Sequence, residues 1–284
     1  MTLASSLFRR LLQVPSSFIY GHRYLMRCGS TTFDPHTQYL NHPSWNFGDG
    51  PQDRYDEEIA HVDLHIGRLL AKLREAGLYD RTIIVFVADH GEEFKEHGGL
   101  EHKTLYEEIV RVPLLIKAPS LGHRKASHLA QQIDVLPTIL GLLGVAPPDG
   151  LQGTDLFAEG SRQQPIFMER NRPVPFCQRS VIDWPDKLTI VEPVDLSNYP
   201  DNIYRNPPEA ITHLTPGIFL YDLAADAAES HNLYTEANPT ATRLAKLLSA
   251  HFAGERNSRP RHFTGDGGMD ADLEKQLRSL GYIK

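Results

Sequence analysis

The residues with the clearest capacity for chemistry are Asp89, His90 and Gly91, which directly follow the apolar run Thr82-Ile83-Ile84-Val85-Phe86-Val87-Ala88. Such a continuous, β-branched run is the pattern of a strand buried on both faces of a parallel sheet. Ligands of these sheets bind beyond the carboxyl ends of the strands, which is where the acid and the imidazole emerge. A carboxylate is a hard oxygen ligand and an imidazole a borderline nitrogen ligand, so the pair on a rigid strand end suits one divalent cation. Gly91 permits close backbone approach. The tripeptide alone is equally compatible with an aspartate capping the next turn beside an incidental histidine. Glu92, Glu93 and Glu96 follow, either as a solvated rim or as partners that orient His90 or His97. His61 and His65 stand four apart on a helical stretch, but no Glu-containing metalloprotease pattern surrounds them, so they read as surface or packing residues.

The elements that must position these groups follow from periodicity. Ile59, Val62, Leu64, Ile66, Leu69, Leu70 and Leu73 recur at helical spacing, which predicts an amphipathic helix over 54–76 with these aliphatics in the core and Gly77 as its stop. A second strand is expected over Val112–Pro119, with Pro113 near its start. A second helix follows around Ile133 to Leu143, with Asp134 in its first turn and Gly144 after it. Strand and helix in alternation argue for an α/β layer fold with a mostly parallel sheet. After Gly150, short apolar segments at Pro165–Met168, Lys187–Val191 and Ile218–Leu223 suggest a small antiparallel C-terminal α+β subdomain, with helices near 239–253 and 270–280. The organisation expected is an irregular or diverged segment 1–32, an α/β part 33–150 and the subdomain 151–284.

Composition excludes several classes. The 284 residues carry 29 basic and 36 acidic side chains, a net charge of -7 without a dense basic stripe, so nucleic acid is not an expected partner. The run Leu11-Leu12-Gln13-Val14 before Pro15 is too short for a signal peptide or a membrane span, and no compartment can be assigned. Two cysteines, Cys28 and Cys177, make neither a disulfide framework nor a four-cysteine zinc site.

The stretch Asp89-His90-Gly91-Glu92-Glu93, His97-Gly98-Gly99, Leu105-Tyr106-Glu107-Glu108 and Arg111-Val112-Pro113-Leu114 resembles the sulfatase family of the alkaline phosphatase-like superfamily. Upstream, Asp34-Pro35-His36-Thr37-Gln38-Tyr39 is similar to a family segment, with Gln38 in place of its usual proline. Downstream, Asp134-Val135-Leu136-Pro137-Thr138, Leu220-Tyr221-Asp222-Leu223 with Glu229, His231, Asn232 and Leu233, and the closing Leu280-Gly281-Tyr282-Ile283 extend the likeness. The resemblance implies that Asp89 and His90 are metal ligands. It implies that His36 contacts the sulfate or the leaving-group oxygen, and that His102, or the adjoining Lys103, contacts the transferred group. Calcium is the metal implied first, with manganese or zinc as alternatives. Members that cleave phosphodiesters or phosphonate esters carry His where calcium-type sulfatases often carry Asn, so His90 leaves a sulfated or a phosphorylated ester open as the substrate.

The family's nucleophile arises from the Cys or Ser of a Cys/Ser-x-Pro/Ala-x-Arg motif, which occurs nowhere in the sequence; neither Cys28 nor Cys177 has the required followers. The resemblance therefore implies the carboxyl-terminal part of a sulfatase-like protein. Two readings follow: a metal-dependent sulfuric ester hydrolase lineage, or a non-catalytic anion- or metal-binding remnant. A sheet lacking strands would favour self-association or a complementing chain.

Overall fold

The computed structural model describes residues 35, 39–40, 42, 44–123, 129–158, 164–170, 176–193 and 214–257. His36, Cys28, the diverged segment and the helix expected near 270–280 lie outside the described residues.

Helix α1 spans Pro51–Glu75. Its start is fixed by Pro51, whose missing donor is harmless in the first turn, and by Asp53, whose Oδ2 accepts the Gly50 N–H at 3.0 Å. Lys72 and Arg74 complement the dipole of the last turn, and Gly77 adopts a left-handed φ of 65° just beyond it. The expected burial holds for Leu70 and fails for Leu64 and Leu69. Leu64 and Leu69 are 37% and 45% exposed, whereas Glu57 and Glu58 are buried. The aliphatic face is only partly covered among the described residues: Leu70 is buried, and Ile59, Val62, Ile66 and Leu73 are half-buried. The two carboxylates, by contrast, accept backbone N–H groups of the preceding chain, Phe47 at 3.2 Å and Leu40 at 2.6 Å. Buried charge is tolerated because it satisfies donors that would otherwise be orphaned. His61 stacks between His42 and His65, at centroid distances of 4.3 and 4.5 Å, so both helical histidines are packing residues.

Strand β1 (Ile84–Val87) pairs with β4 (Leu114–Lys117). The pairing is antiparallel, with Ile84 opposite Lys117 and Val87 opposite Leu114. This corrects the parallel pairing expected from strand and helix alternation, and every pairing among the described residues is antiparallel. Val87 is 40% exposed, so the strand is not buried on both faces. Between β1 and β4 the chain makes a short hairpin, β2 (Glu93–Phe94) with β3 (Leu100–Glu101), and one helical turn, α2 (Glu107–Val110). After β4, a 3-10 turn (Gln132–Asp134) runs into helix α3 (Val135–Leu142). Here too polar groups are inside: Asp134 and Thr138 are buried, while Leu136 is 51% exposed. Asp134 accepts the N–H groups of Gln131 and Thr154 at 2.8 Å each, and Thr138 Oγ1 accepts that of Leu156 at 3.0 Å.

The C-terminal layer is a four-stranded antiparallel sheet in the order β5 (Ile166–Arg170), β6 (Phe176–Asp183), β7 (Asp186–Pro193), β8 (Gly217–Asp222). Helix α4 (Pro239–Asn257) covers one face. Its N-cap is Asn238, whose Oδ1 accepts the N–H groups of Thr240 and Ala241 at 2.9 and 3.2 Å. Ala241, Leu244 and Leu248 lie on one face of α4 and pack on Val181, Leu188 and Leu220. Leu244 is 0% exposed, so Leu244→Ala is expected to lower stability by about 2–5 kcal/mol through lost transfer energy and a cavity, read as a lower urea midpoint at unchanged slope.

Candidate functional site

The site begins where β1 runs out. Asp89 is exposed, with 77% of its side chain accessible, and His90 is partly exposed, so both groups leave the strand toward solvent. The strand end is held from the side by Gln132, whose Nε2 donates to the carbonyls of Ala88 and Asp89 at 2.8 Å each. Asp89 Oδ1 accepts the N–H of His90 at 3.0 Å. His90 Nδ1 lies 2.9 Å from the carbonyl oxygen of Gly91. A carbonyl only accepts, so Nδ1 is the donor of this contact and Nε2 is the ring nitrogen left to face outward. That nitrogen faces Asp89 Oδ2 at 3.8 Å, an oxygen and a nitrogen donor side by side.

Gly91 explains how the chain turns back so sharply. Its N–H donates to Ile109 at 2.7 Å, and a Cβ at this position would stand 2.0 Å from the Glu108 carbonyl oxygen. Glycine alone fits. The loop that follows is closed by Glu93, which is fully buried: Oε1 accepts the N–H groups of Gly99 at 2.8 Å and His97 at 3.2 Å, and Oε2 lies 3.4 Å from Thr104 Oγ1. This folding returns His102 to the strand end, where its ring stacks on His90 at 3.9 Å between centroids.

Glu92 holds His102 from behind. Its buried carboxylate has Oε1 3.4 Å from His102 Nδ1 and accepts the Tyr39 hydroxyl at 2.8 Å through Oε2. Burial pushes the Glu92 carboxyl up, but the contacts of His102 and Tyr39 outweigh it and hold the group below the usual carboxylate range. Tyr55, packed edge-on against Tyr39 and Phe94, is pushed up to about 12 by burial and by the carboxylates of Glu92, Asp56, Asp89 and Glu58. It remains a neutral phenol.

Of the residues the sequence singles out, the structure thus brings Asp89, His90 and His102 together. Lys103 pairs with Glu101 at 2.8 Å, and its carbonyl accepts the Gln178 side chain at 3.0 Å. Glu96 sits on the exposed rim, whereas Glu92 and Glu93 are structural members of the site rather than solvated acids. Cys177 lies on β6 with burial as the main cause of a raised thiol pKa, the opposite of an activated nucleophile.

Two groups escaped sequence reading. Lys187, fully buried on β7, donates to the Leu105 carbonyl at 2.8 Å and pairs with Glu107 at 3.1 Å and Glu229 at 2.9 Å. Tyr39 is the second: it hydrogen-bonds Glu92, a residue the sequence offered as a partner of His90 or His97 and the structure places against His102.

Residues 28–145 match the sulfatase family model. Over 115 residues the chain is 36% identical to an N-acetylglucosamine-6-O-sulfatase of Bacteroides thetaiotaomicron, covering 40% of this chain and 20% of that protein. Over 258 residues it is 31% identical to an arylsulfatase of Chlamydomonas reinhardtii, covering 79% of this chain and 39% of the relative. The chain therefore spans between a fifth and two fifths of the length of these curated relatives. Among solved structures it superposes on a phosphonate monoester hydrolase from Silicibacter pomeroyi with a TM-score of 0.54 at 24% identity, covering 78% of this chain and 44% of that one. At that identity the likeness concerns fold, which is the α/β alkaline phosphatase-like class.

Gly91→Ala forces the loop away from α2, with an expected cost of about 1–3 kcal/mol from overpacking against backbone that cannot yield. Chemical denaturation of the variant beside the parent chain measures it; an unchanged midpoint contradicts the close approach.

Proposed function

Since residues 28–145 of this chain belong to the sulfatase family, we propose that Asp89, His90 and His102 form the cation-and-oxyanion side of a sulfuric ester hydrolase site. The observation that carries this reading is the juxtaposition of Asp89 Oδ2 and His90 Nε2 at 3.8 Å, beneath the stacked ring of His102. The donor set fits a divalent metal: one hard oxygen and one imidazole nitrogen, each oriented by a backbone contact rather than by the ion. Calcium is the first choice, as the resemblance implies, with manganese and zinc as alternatives. When bound, the metal supplies positive charge that offsets the charge of a tetrahedral anion.

The chain's own residues do the rest. Asp89 and His90 present their donors at a fixed strand end, and Gln132 and Gly91 keep that end from moving. His102, steadied by buried Glu92, places its ring beside the same opening, where a protonated imidazole donates to an anion oxygen or hands a proton to a departing one. His36 and Lys103 are proposed as further contacts to the ester, His36 through the segment that also supplies Tyr39. The nucleophile has no counterpart motif in the sequence, so the reading concerns binding and positioning by residues 33–150, with 151–284 as a supporting subdomain. A phosphonate or phosphate ester is the second reading, favoured by His90, since that imidazole stands where the sulfate-specific members often have an amide.

Titration calorimetry with calcium and with manganese tests the site directly. Saturable binding is expected for the parent chain, with affinity lower by about tenfold or more in Asp89→Asn and in His90→Ala, comparable to the loss on disturbing a metal's ligand environment. Equal affinity in parent and variants overturns the assignment. Competition of sulfate against phenylphosphonate on the metal-loaded chain separates the two anions: tighter sulfate supports the first reading, tighter phosphonate the second.

A further inference from the structure

One partly buried imidazole in the loop serves no role in the site just described. His97 Nδ1 lies 2.6 Å from Glu108 Oε1, its Nε2 lies 3.0 Å from the Ala228 carbonyl oxygen, and its ring stacks flat on Tyr106 at 3.6 Å and 6°. The carbonyl only accepts, and an ionised carboxylate only accepts, so both ring nitrogens carry hydrogen and the ring is a cation. Glu93, His97 and Glu108 also present ligand atoms within 4.8 Å of one another, the spacing of a small metal cluster. The network closes without an ion, because Glu93 already accepts from Gly99 and His97 and both nitrogens of His97 are engaged.

We infer that His97 is a positioning residue: as a doubly donating imidazolium it fastens the loop of residues 91–104, and His102 with it, to the segment that follows β8 in the C-terminal layer. The inference rests on the reading of Asp89, His90 and His102 as the functional site. Ala228 and Glu229 belong to the C-terminal layer, whereas Glu93, His97 and Glu108 belong to the loop and the helical turn after it. His97 is therefore a tie across the two parts. A second tie runs parallel to it, from Lys187 of β7 to the Leu105 carbonyl, Glu107 and Glu229. Glu229 also accepts the N–H of Glu107 at 2.7 Å, and holds a left-handed φ of 49° in doing so.

The groups facing His97 are Glu93 on its own loop, Glu108 and Tyr106 at the helical turn, and Glu229 from the C-terminal layer, with Lys187 and Glu107 behind Glu229 and Tyr221 behind Tyr106. Burial pulls the His97 ring down, but the hydrogen bond and charge of Glu108, the charge of Glu229 and the Ala228 carbonyl outweigh it, leaving its pKa above the usual 6.5. A raised folded value means that the tie contributes fully below the unfolded value of 6.5 and is lost as pH rises through the folded one.

The test uses the full chain and His97→Gln, which removes the cation and retains one amide donor. Hydrogen exchange read by mass spectrometry is expected to be about tenfold faster over residues 91–104 in the variant, with β6 and β7 unchanged. Sulfate affinity of the manganese-loaded variant is expected to fall while manganese affinity stays near the parent's, since Asp89 and His90 are held from the strand side. Unchanged exchange over 91–104, or parallel losses of metal and anion, overturns the inference. If the variant does not fold, nitrogen NMR of the parent's histidines decides: two protonated ring nitrogens on His97 at neutral pH support the tie, one overturns it. A parent chain that binds neither manganese nor sulfate refutes the proposed function instead, and leaves the exchange result to judge the tie.

Discussion

A buried carboxylate has lone pairs that must find donors, and in this protein the donors they find are the backbone N–H groups of irregular chain. Glu93 is the central case: at 0% exposure it gathers Gly99, His97 and Thr104 and so sets the path of the loop after β1. Desolvating an unpaired carboxylate costs several kcal/mol, so this loop has few alternative courses once Glu93 is inside. That course returns His102 to the end of β1, where it stacks on His90.

The same device recurs. Glu57 and Glu58 on α1 hold the N–H groups of Phe47 and Leu40, Asp134 holds those of Gln131 and Thr154, and Glu229 holds that of Glu107. Around the site, then, polar groups do the internal work while several aliphatic side chains of α1 and α3 stay exposed. The C-terminal layer is organised the ordinary way, with α4 burying Leu244 and Leu248 on the sheet. The two regions meet through charge at Lys187 and His97, through Gln178, which bonds the backbone of Leu105 and Lys103, and through Tyr106, packed against Tyr221.

What the sequence made legible was set by pattern strength. The helix expected over 54–76 appears at Pro51–Glu75, and three of the four C-terminal strands were visible as apolar segments. Strand β6 was not, because Gln178, Arg179 and Ser180 interrupt its apolar residues; Ser180 is buried against Leu188 of the next strand and Gln178 against Lys103 and Leu105, contacts that no local pattern encodes. The orientation of β1 against β4 was misjudged for a related reason: alternation of element types carries no information about the sense of pairing when the connection is a folded loop. Leu64 and Leu69 of α1 stay exposed while Leu70 is buried, because amphipathic spacing states which face is apolar and not how far a layer covers it. In the site, Asp89, His90 and His102 were readable from residue type and order. Glu92 was readable as an orienting partner but not as that of His102, and Tyr39 and Lys187 were not readable, since their roles depend on contacts between residues 53 and 82 positions apart.

At the end of β1 a rigid strand, a glycine turn and a carboxylate-folded loop leave two unlike metal donors, Asp89 and His90, and a second imidazole, His102, facing one opening. The most direct measurement is anomalous diffraction from crystals of the full chain grown with manganese and tungstate. The account requires a manganese peak bridging Asp89 and His90, with tungstate in hydrogen-bonding reach of His102. A manganese peak among Glu93, His97 and Glu108, or none near Asp89, would contradict it.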